Sequence, residues 1–480
     1  MKKVISIILT LCLVLALCAC GSEKETAMSK EFRVGYAREN ITPQYSVPLA
    51  GYGNTSSRMS QGFISYLYTT CIAITDADDS TILLFTTDMI GVTDTQAATY
   101  REAVSKATGI PGERIMFTNT HTHSAPDYRS SEPVIQTYLN ELAQHMVTAA
   151  KEALADRSAA TMETGIGKTE RLNFVRHYTT TSGEIFGDNL SLNGTITGHT
   201  SEPDTEIQLI CFRRAAKDKK DILAVNWQCH PRLDSAGTTD EGKINRPMMS
   251  ADYVGAARDY VEANTDCLFA FYLGAAGNLN AESRISGENF STACKVYGGA
   301  LGGHIIDGME SLKPVEGDAH KVTVTQKMYD ATYDHAEDNL VAEAQRIASV
   351  WYAKNDYNAA MAEGTSGKIY SQYHASSIVS RSKNTAETCA MELNAIRVGP
   401  IGFITAPYEM FDVSGMAIKD GSPFDTTFVM TCANGSYSYI AAEYAFQGRG
   451  TYEVHNRNFV QGTAEDLVTN YLGMLNELNQ

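Results

Sequence analysis

"RIMFTNTHTHSAPD", residues 114–127, decides the fold more than any other stretch of this 480-residue chain. It opens as a short apolar run of the kind a buried strand shows, breaks at small polar residues, and carries two histidines one residue apart. In extended backbone, positions two apart point to one face, so His121 and His123 are placed to reach into one site. The same order recurs along the chain, an apolar run followed by chemistry at its end. Asp88 closes STILLFTTD (80–88), His230 follows DILAVNWQC (221–229), and Glu409 stands three residues beyond AIRVGPIGFITA (395–406). EIQLICF (206–212), CLFAFYLG (267–274) and TTFVMTC (426–432) complete the strands. Several are continuous apolar runs, as expected of strands covered on both faces.

Helical spacing alternates with these runs, at 94–108, 134–155, 250–264, 292–312, 335–362 and 464–478. Ser250 is the expected N-cap of its helix, with Asp252 in the first turn. Leu340, Ala344, Ile347, Ala348 and Trp351 form one stripe of helix 335–362, read as core. No internal repeat or long linker interrupts residues 32–480, which read as one α/β unit: a mixed sheet core flanked by helices, with a metal site at strand ends.

The net charge of −17 excludes a nucleic-acid partner, because no Lys/Arg run supplies a phosphate-binding footprint. The first 19 residues read as a secretory signal, and "LCAC" followed by Gly21-Ser22 resembles a lipobox that makes Cys20 the lipidated first residue. Residues 20–31 are then a polar tether, and the expected location is extracytoplasmic, on a bacterial membrane surface. Seven cysteines follow Cys20 at wide spacings without a C-x-x-C, so neither a zinc ribbon nor a disulfide framework is indicated.

A catalytic zinc takes His and carboxylate ligands, an open position for water, and outer acceptors that orient each imidazole. His121, His230 and Glu409 supply the first set, and Asp88 is the expected outer acceptor. An isolated H-x-H is weak, since it equally describes two partly exposed strand histidines.

Four ordered stretches raise it: VGYARENITP (34–43) with LAGYG (49–53), TTDMIGV (86–92) with TNTHTHSAPD, AVNWQCHP, and ITAPYEMF. Together they resemble the neutral ceramidase family, zinc amidases that cleave the N-acyl bond of ceramide. The resemblance runs from about residue 32 to the end and covers the family's catalytic domain without its C-terminal immunoglobulin-like domain. It implies a zinc held by His121, His230, Glu409 and Tyr439, the last placed by NGSYSYIAAEY (434–444), with Tyr437 and Tyr444 as competitors. It places Tyr452 at the oxyanion and His177 in a loop near substrate, while His123, on the same face as His121, is expected to bind substrate or relay a proton rather than ligate.

One departure limits the substrate. The family's Gly-Asp-Val-Ser-Pro-Asn loop reads GAAGNLNAES (274–283) here, with Gly277 at the place of the catalytic serine. Backbone N–H groups at Gly277, and the amides of Asn278 or Asn280, are the expected replacements at a substrate oxygen. The reading is therefore a zinc amidohydrolase acting on an amide-bearing lipid such as ceramide. The alternatives are a zinc deacylase or esterase on a glycan, N-acyl amino acid or small ester, and a non-catalytic binding lipoprotein.

Overall fold

Runs of β-branched and aromatic residues with no polar interruption cannot face water on either side, and the chain gives them two sheets to lie between. The structure, a computed structural model, describes residues 31–52, 58–187, 194–233, 247–282, 290–315, 320–354 and 356–480. The expected leader, Cys20 and nearly all of the tether lie outside the described residues.

The larger sheet contains β1 (Arg33–Asn40), β2 (Tyr68–Thr75), β3 (Thr81–Thr87), β4 (Ile115–Asn119), β5 (Ser158–Lys168), β6 (Glu206–Arg214), β7 (Asp221–Trp227) and β8 (Cys267–Leu273). Its order is β8-β7-β6-β5-β1-β2-β3-β4, with the short strand Lys313–Pro314 beside β5. The pairs β3–β4 and β7–β8 are parallel. A smaller sheet runs β9 (Val322–Thr332), β10 (Thr388–Val398), β11 (Ile401–Thr405) and β12 (Thr426–Met430), with β11–β12 parallel.

Alternation sorts the side chains into layers. Val34, Ile72, Leu84 and Met116 from one sheet meet Ile396, Phe403, Phe428 and Met430 from the other. On the far face of the large sheet, Leu83, Phe85 and Phe117 lie under α1 (Asp94–Thr108) and α2 (Pro133–Ala155). Leu209, Val225 and Trp227 lie under α3 (Asp252–Asn264) and α4 (Phe290–Met309). The outer face of the small sheet packs on helix Thr463–Leu478 through Leu393, Ile404 and Leu467. No described helix is long and apolar enough to cross a membrane.

The expected helices form, with differences at particular residues. Helix 335–362 is two, Asp338–Lys354 and Tyr357–Met361, the second capped by the Asp356 side chain on Ala359 N. Segment 395–406 is a hairpin, β10 turning at Gly399 with φ +58 into β11. Ser250 caps from one position further out, its Oγ accepting from Asp252 N at 2.9 Å, while Ala251 holds the N-cap place.

Parallel neighbours end on the same edge of a sheet, so the segments after β4, β7, β8, β11 and β12 gather at one end. Cross-links fasten them: Asn119 Nδ2 donates to Cys432 O at 2.7 Å, Thr431 N to Leu273 O at 2.9 Å, and Gly277 N to Met410 O at 2.7 Å.

Candidate metal centre

The β4 strand stops at Asn119, and His121 adopts φ +67, so the two histidines reach one site by a turn rather than by extended alternation. Left-handed backbone at a non-glycine residue is held here by its surroundings. His121 N donates to Met89 O at 2.8 Å and His123 N to Pro231 O at 3.1 Å. Gly51, with φ +105, closes over His123; a Cβ there would fall 2.6 Å from its ring, which is why the LAGYG turn needs glycine.

His121 Nδ1 lies 2.7 Å from Ile90 O, and His230 Nδ1 lies 2.8 Å from Ala276 O. A carbonyl only accepts, so each Nδ1 carries the proton and each Nε2 presents a lone pair. Those lone pairs converge on one carboxylate oxygen: Glu409 Oε2 is 3.2 Å from His121 Nε2 and 3.3 Å from His230 Nε2. Ligands at about 2.0 Å from a tetrahedral zinc stand about 3.3 Å apart, so these three atoms already have the spacing of a shared ion. The His123 ring is the third imidazole, with ligand atoms of the three histidines within 4.8 Å of one another. His230 Nε2, Glu409 Oε2 and both His123 nitrogens are buried without a hydrogen bond, a set of orphaned lone pairs that a cation satisfies. The donor set fits a metal ion.

The electrostatics agree for His123 and His230, while His121 without a metal holds a proton against Glu409 that an ion would displace. Burial holds His123 well below its ordinary value and His230 near about 4, so both stay neutral. At His121 burial pulls the same way, but Cys432 and Glu409 outweigh it and raise the imidazole. Burial opposes ionisation of Glu409, and His121 and His230 more than reverse this, holding the carboxyl well below its usual range.

The tyrosines separate clearly. Tyr439 pairs with Glu409 in the parallel bridge of Glu409–Met410 with Tyr439–Ile440, and its ring stacks 6.5 Å from His230. Tyr452 stands 5.8 Å from Tyr439, ring to ring. Burial raises both phenols, Tyr439 with help from the Glu409 charge, so each keeps its proton. Tyr437 faces Asp94 at 3.4 Å, and Tyr444 bonds His177 at 2.8 Å, so neither competitor sits beside Glu409.

Several expected roles are corrected. Asp88 orients no histidine: both its oxygens accept from Arg258 Nη2 at 2.9 Å, and the acceptors it was expected to supply are the carbonyls of Ile90 and Ala276. Gly277 offers no amide to a substrate, because its N–H is spent on Met410 O; a Cβ there would meet the carbonyls of Glu409 and Met410 at 2.9 Å, which excludes serine without a shift. Asn278 is fully buried, donating to Asp412 Oδ1 at 2.6 Å and accepting from Asp412 N at 2.9 Å, and so anchors helix Asp412–Gly421. Asn280 is buried in the ladder of Leu279–Ala281 with Asn173–Val175, 3.4 Å from Arg176 Nη1. His177 is fully buried, with Nδ1 on Tyr444 and Nε2 2.8 Å from Glu453 Oε2, so no ring nitrogen is left for substrate.

Sequence reasoning passed over Arg176, Glu453 and Cys432. Arg176 Nε donates to Glu453 Oε1 at 2.7 Å and Nη2 to Gly277 O at 2.8 Å, and its guanidinium lies over the rings of Tyr439 and Tyr452 at 5.6 and 5.9 Å. Cys432, buried, sits 3.3 Å from His121 Nδ1. No local pattern marks either contact, since the partners are distant in sequence.

A cavity of about 690 Å³ lined by Arg171, Phe174 and His199 lies apart from this cluster and includes none of its ligands. The sequence matches no family model and no curated protein. Solved structures do share the fold. Neutral ceramidase from Pseudomonas aeruginosa superposes with a TM-score of 0.69 at 15% identity, over 93% of this chain and 74% of that one. A ceramidase complexed with C2 gives 0.66 at 15% identity, over 94% and 75%. The chain has the fold of neutral ceramidase.

Proposed function

We propose that this protein is a zinc-dependent hydrolase of an N-acyl amide, working outside the cytoplasm from a lipid anchor at Cys20. The observation that carries the reading is the convergence of His121 Nε2, His230 Nε2 and Glu409 Oε2 at ligand spacing, in a fold whose similar structures are ceramidases. Those three residues hold the ion, with Tyr439 beside them. A bound zinc supplies Lewis acidity to an acyl carbonyl and brings the pKa of its water towards about 7. His123, neutral and with both nitrogens unengaged, takes and returns the proton of the amide cleavage. Tyr452, kept protonated by burial, donates to the oxygen on which charge develops. Arg176 and Glu453 hold the two tyrosines in place from behind.

A second reading rests on Gly277. With neither a hydroxyl nor a free amide at that place, the substrate is an amide or ester other than ceramide, such as an N-acyl amino acid or an acylated glycan. Metal content by mass spectrometry, with hydrolysis of short-chain ceramide and of an N-acyl amino acid after chelation and zinc add-back, tests both. Zinc-restored ceramide cleavage supports the first, and zinc-restored cleavage of the other substrate alone supports the second. Protein that holds no stoichiometric metal and cleaves neither overturns both.

A further inference from the structure

A second cavity, of about 560 Å³, lies along the outer face of α3, between the 64–68 segment and α4. Its volume is in the range of small-molecule sites. Two aromatic residues of its lining have large exposed faces, Tyr66 at 47% and Tyr260 at 41%. Tyr66 is backed by Phe63, ring centroids 4.9 Å apart. Tyr260 rests on a glycine floor: a Cβ at Gly302 would fall 2.6 Å from its ring, and one at Gly299 would be 3.6 Å away. Each ring is therefore supported from behind and open in front.

The exposed charges between them are of both signs. Arg258 is neutralised by Asp88 at 2.9 Å, and Asp259 and Lys295 bring one charge of each sign to the lining. Asn264 adds an amide whose Nδ2 donates to Tyr260 O at 2.8 Å, and the Asp252 carboxylate is buried and accepts from Tyr253 N at 2.8 Å. With Arg258 paired, a cation meets Lys295 and an anion meets Asp259. A purely apolar chain would strip water from these charges without replacing it. The lining suits a neutral ligand with a flat apolar face for stacking and hydroxyls around its rim for a carboxylate, an ammonium and an amide.

We propose that this cavity binds a neutral saccharide, with pyranose rings stacked on Tyr66 and Tyr260 and hydroxyls bonded to Asp259 and Lys295. The site shares no residue with the metal cluster and stands whether or not the chain hydrolyses amides.

Titration calorimetry of the whole protein with maltotriose, cellotriose and chitotriose tests it. At least one should bind, with affinity lowered tenfold or more by Tyr260→Ala and by Tyr66→Ala, and retained by Tyr260→Phe, which keeps the stacking face. Asp259→Asn should weaken the same ligand less, since an amide still accepts. Thermal unfolding of each variant separates loss of binding from loss of fold. Absence of binding by all three saccharides overturns the proposal, as does binding that folded Tyr66→Ala and Tyr260→Ala proteins retain in full.

Discussion

Two buried clusters of histidine and carboxylate stand side by side in this protein and differ in whether their lone pairs are occupied. Around Glu453, each charge has a partner: Arg176 on one oxygen, His177 on the other, and Tyr444 on the far side of the imidazole. Around Glu409 the backbone fixes the outer nitrogens of two histidines, and His230 Nε2, Glu409 Oε2 and both His123 nitrogens are left without a hydrogen bond. Composition does not distinguish the two. Satisfied polar groups make a strut, and orphaned ones facing each other make a receptor for a cation.

Removing a ligand should break the contrast most sharply. His121→Ala is expected to abolish both metal content and turnover, measured on the same preparation; retention of a full equivalent of zinc would place the ion elsewhere. His123→Ala sharpens the same comparison. It should keep the metal, because the tighter spacing belongs to His121, His230 and Glu409, while kcat falls by about 10²–10⁴ with loss of the proton carrier.

The strut should fail differently. Glu453→Gln leaves Arg176 buried without its counter-charge, at a cost of about 3–5 kcal/mol in denaturant unfolding, with metal still bound by the fraction that folds. Unchanged stability would mean that the Arg176–Glu453 pair is dispensable.

Acid should act through buried histidines outside the centre. His374 and His455 stack 4.2 Å apart, and burial lowers both, His455 to about 4 from 6.5. The unfolded chain binds protons that the fold excludes, so stability is complete above about pH 6.5 and is lost as pH falls towards about 4. His455 alone contributes about 3 kcal/mol to that loss. Because burial also lowers His123 and His230, the two contributions separate by mutation: in chelated protein His455→Gln should flatten the fall of melting temperature between pH 7 and 4.5, and an unchanged slope would contradict it.

The smallest effect is expected at Gly277. Gly277→Ser adds a Cβ 2.9 Å from two carbonyl oxygens and should cost about 1–3 kcal/mol. A stable serine variant with faster ceramide cleavage would instead show that the loop can yield.

Much of this was legible in sequence because strand ends are marked by local pattern. The apolar runs before His121, His230 and Glu409 predict that these residues emerge together, and helices 94–108, 134–155 and 464–478 form within a residue of their expected bounds. Strands β2, β5 and β9 were not anticipated; β5 and β9 mix exposed polar positions with buried ones, which blurs an apolar run. Roles that depend on a distant partner were misassigned. Asp88 has the right type and place for an outer acceptor, but Arg258 claims it, and Asn278 is claimed by a helix that begins at Asp412. Spacing says which groups arrive at the same end of a sheet, and it is silent on which neighbour each will bond.

The two-residue bridge between Glu409 and Tyr439 carries a consequence for the order of events during synthesis. A parallel pairing so short has no stability of its own and closes only after the intervening helix and β12 have been laid down between its halves. A chain still lacking residue 439 already contains the three histidines and Glu409, with Met410 held on Gly277 N, yet it lacks the strand that pairs with Glu409 itself. Metal capture therefore reports that synthesis has passed Tyr439, and truncation before Tyr439 should loosen the ion while His121, His123 and His230 all remain in the chain.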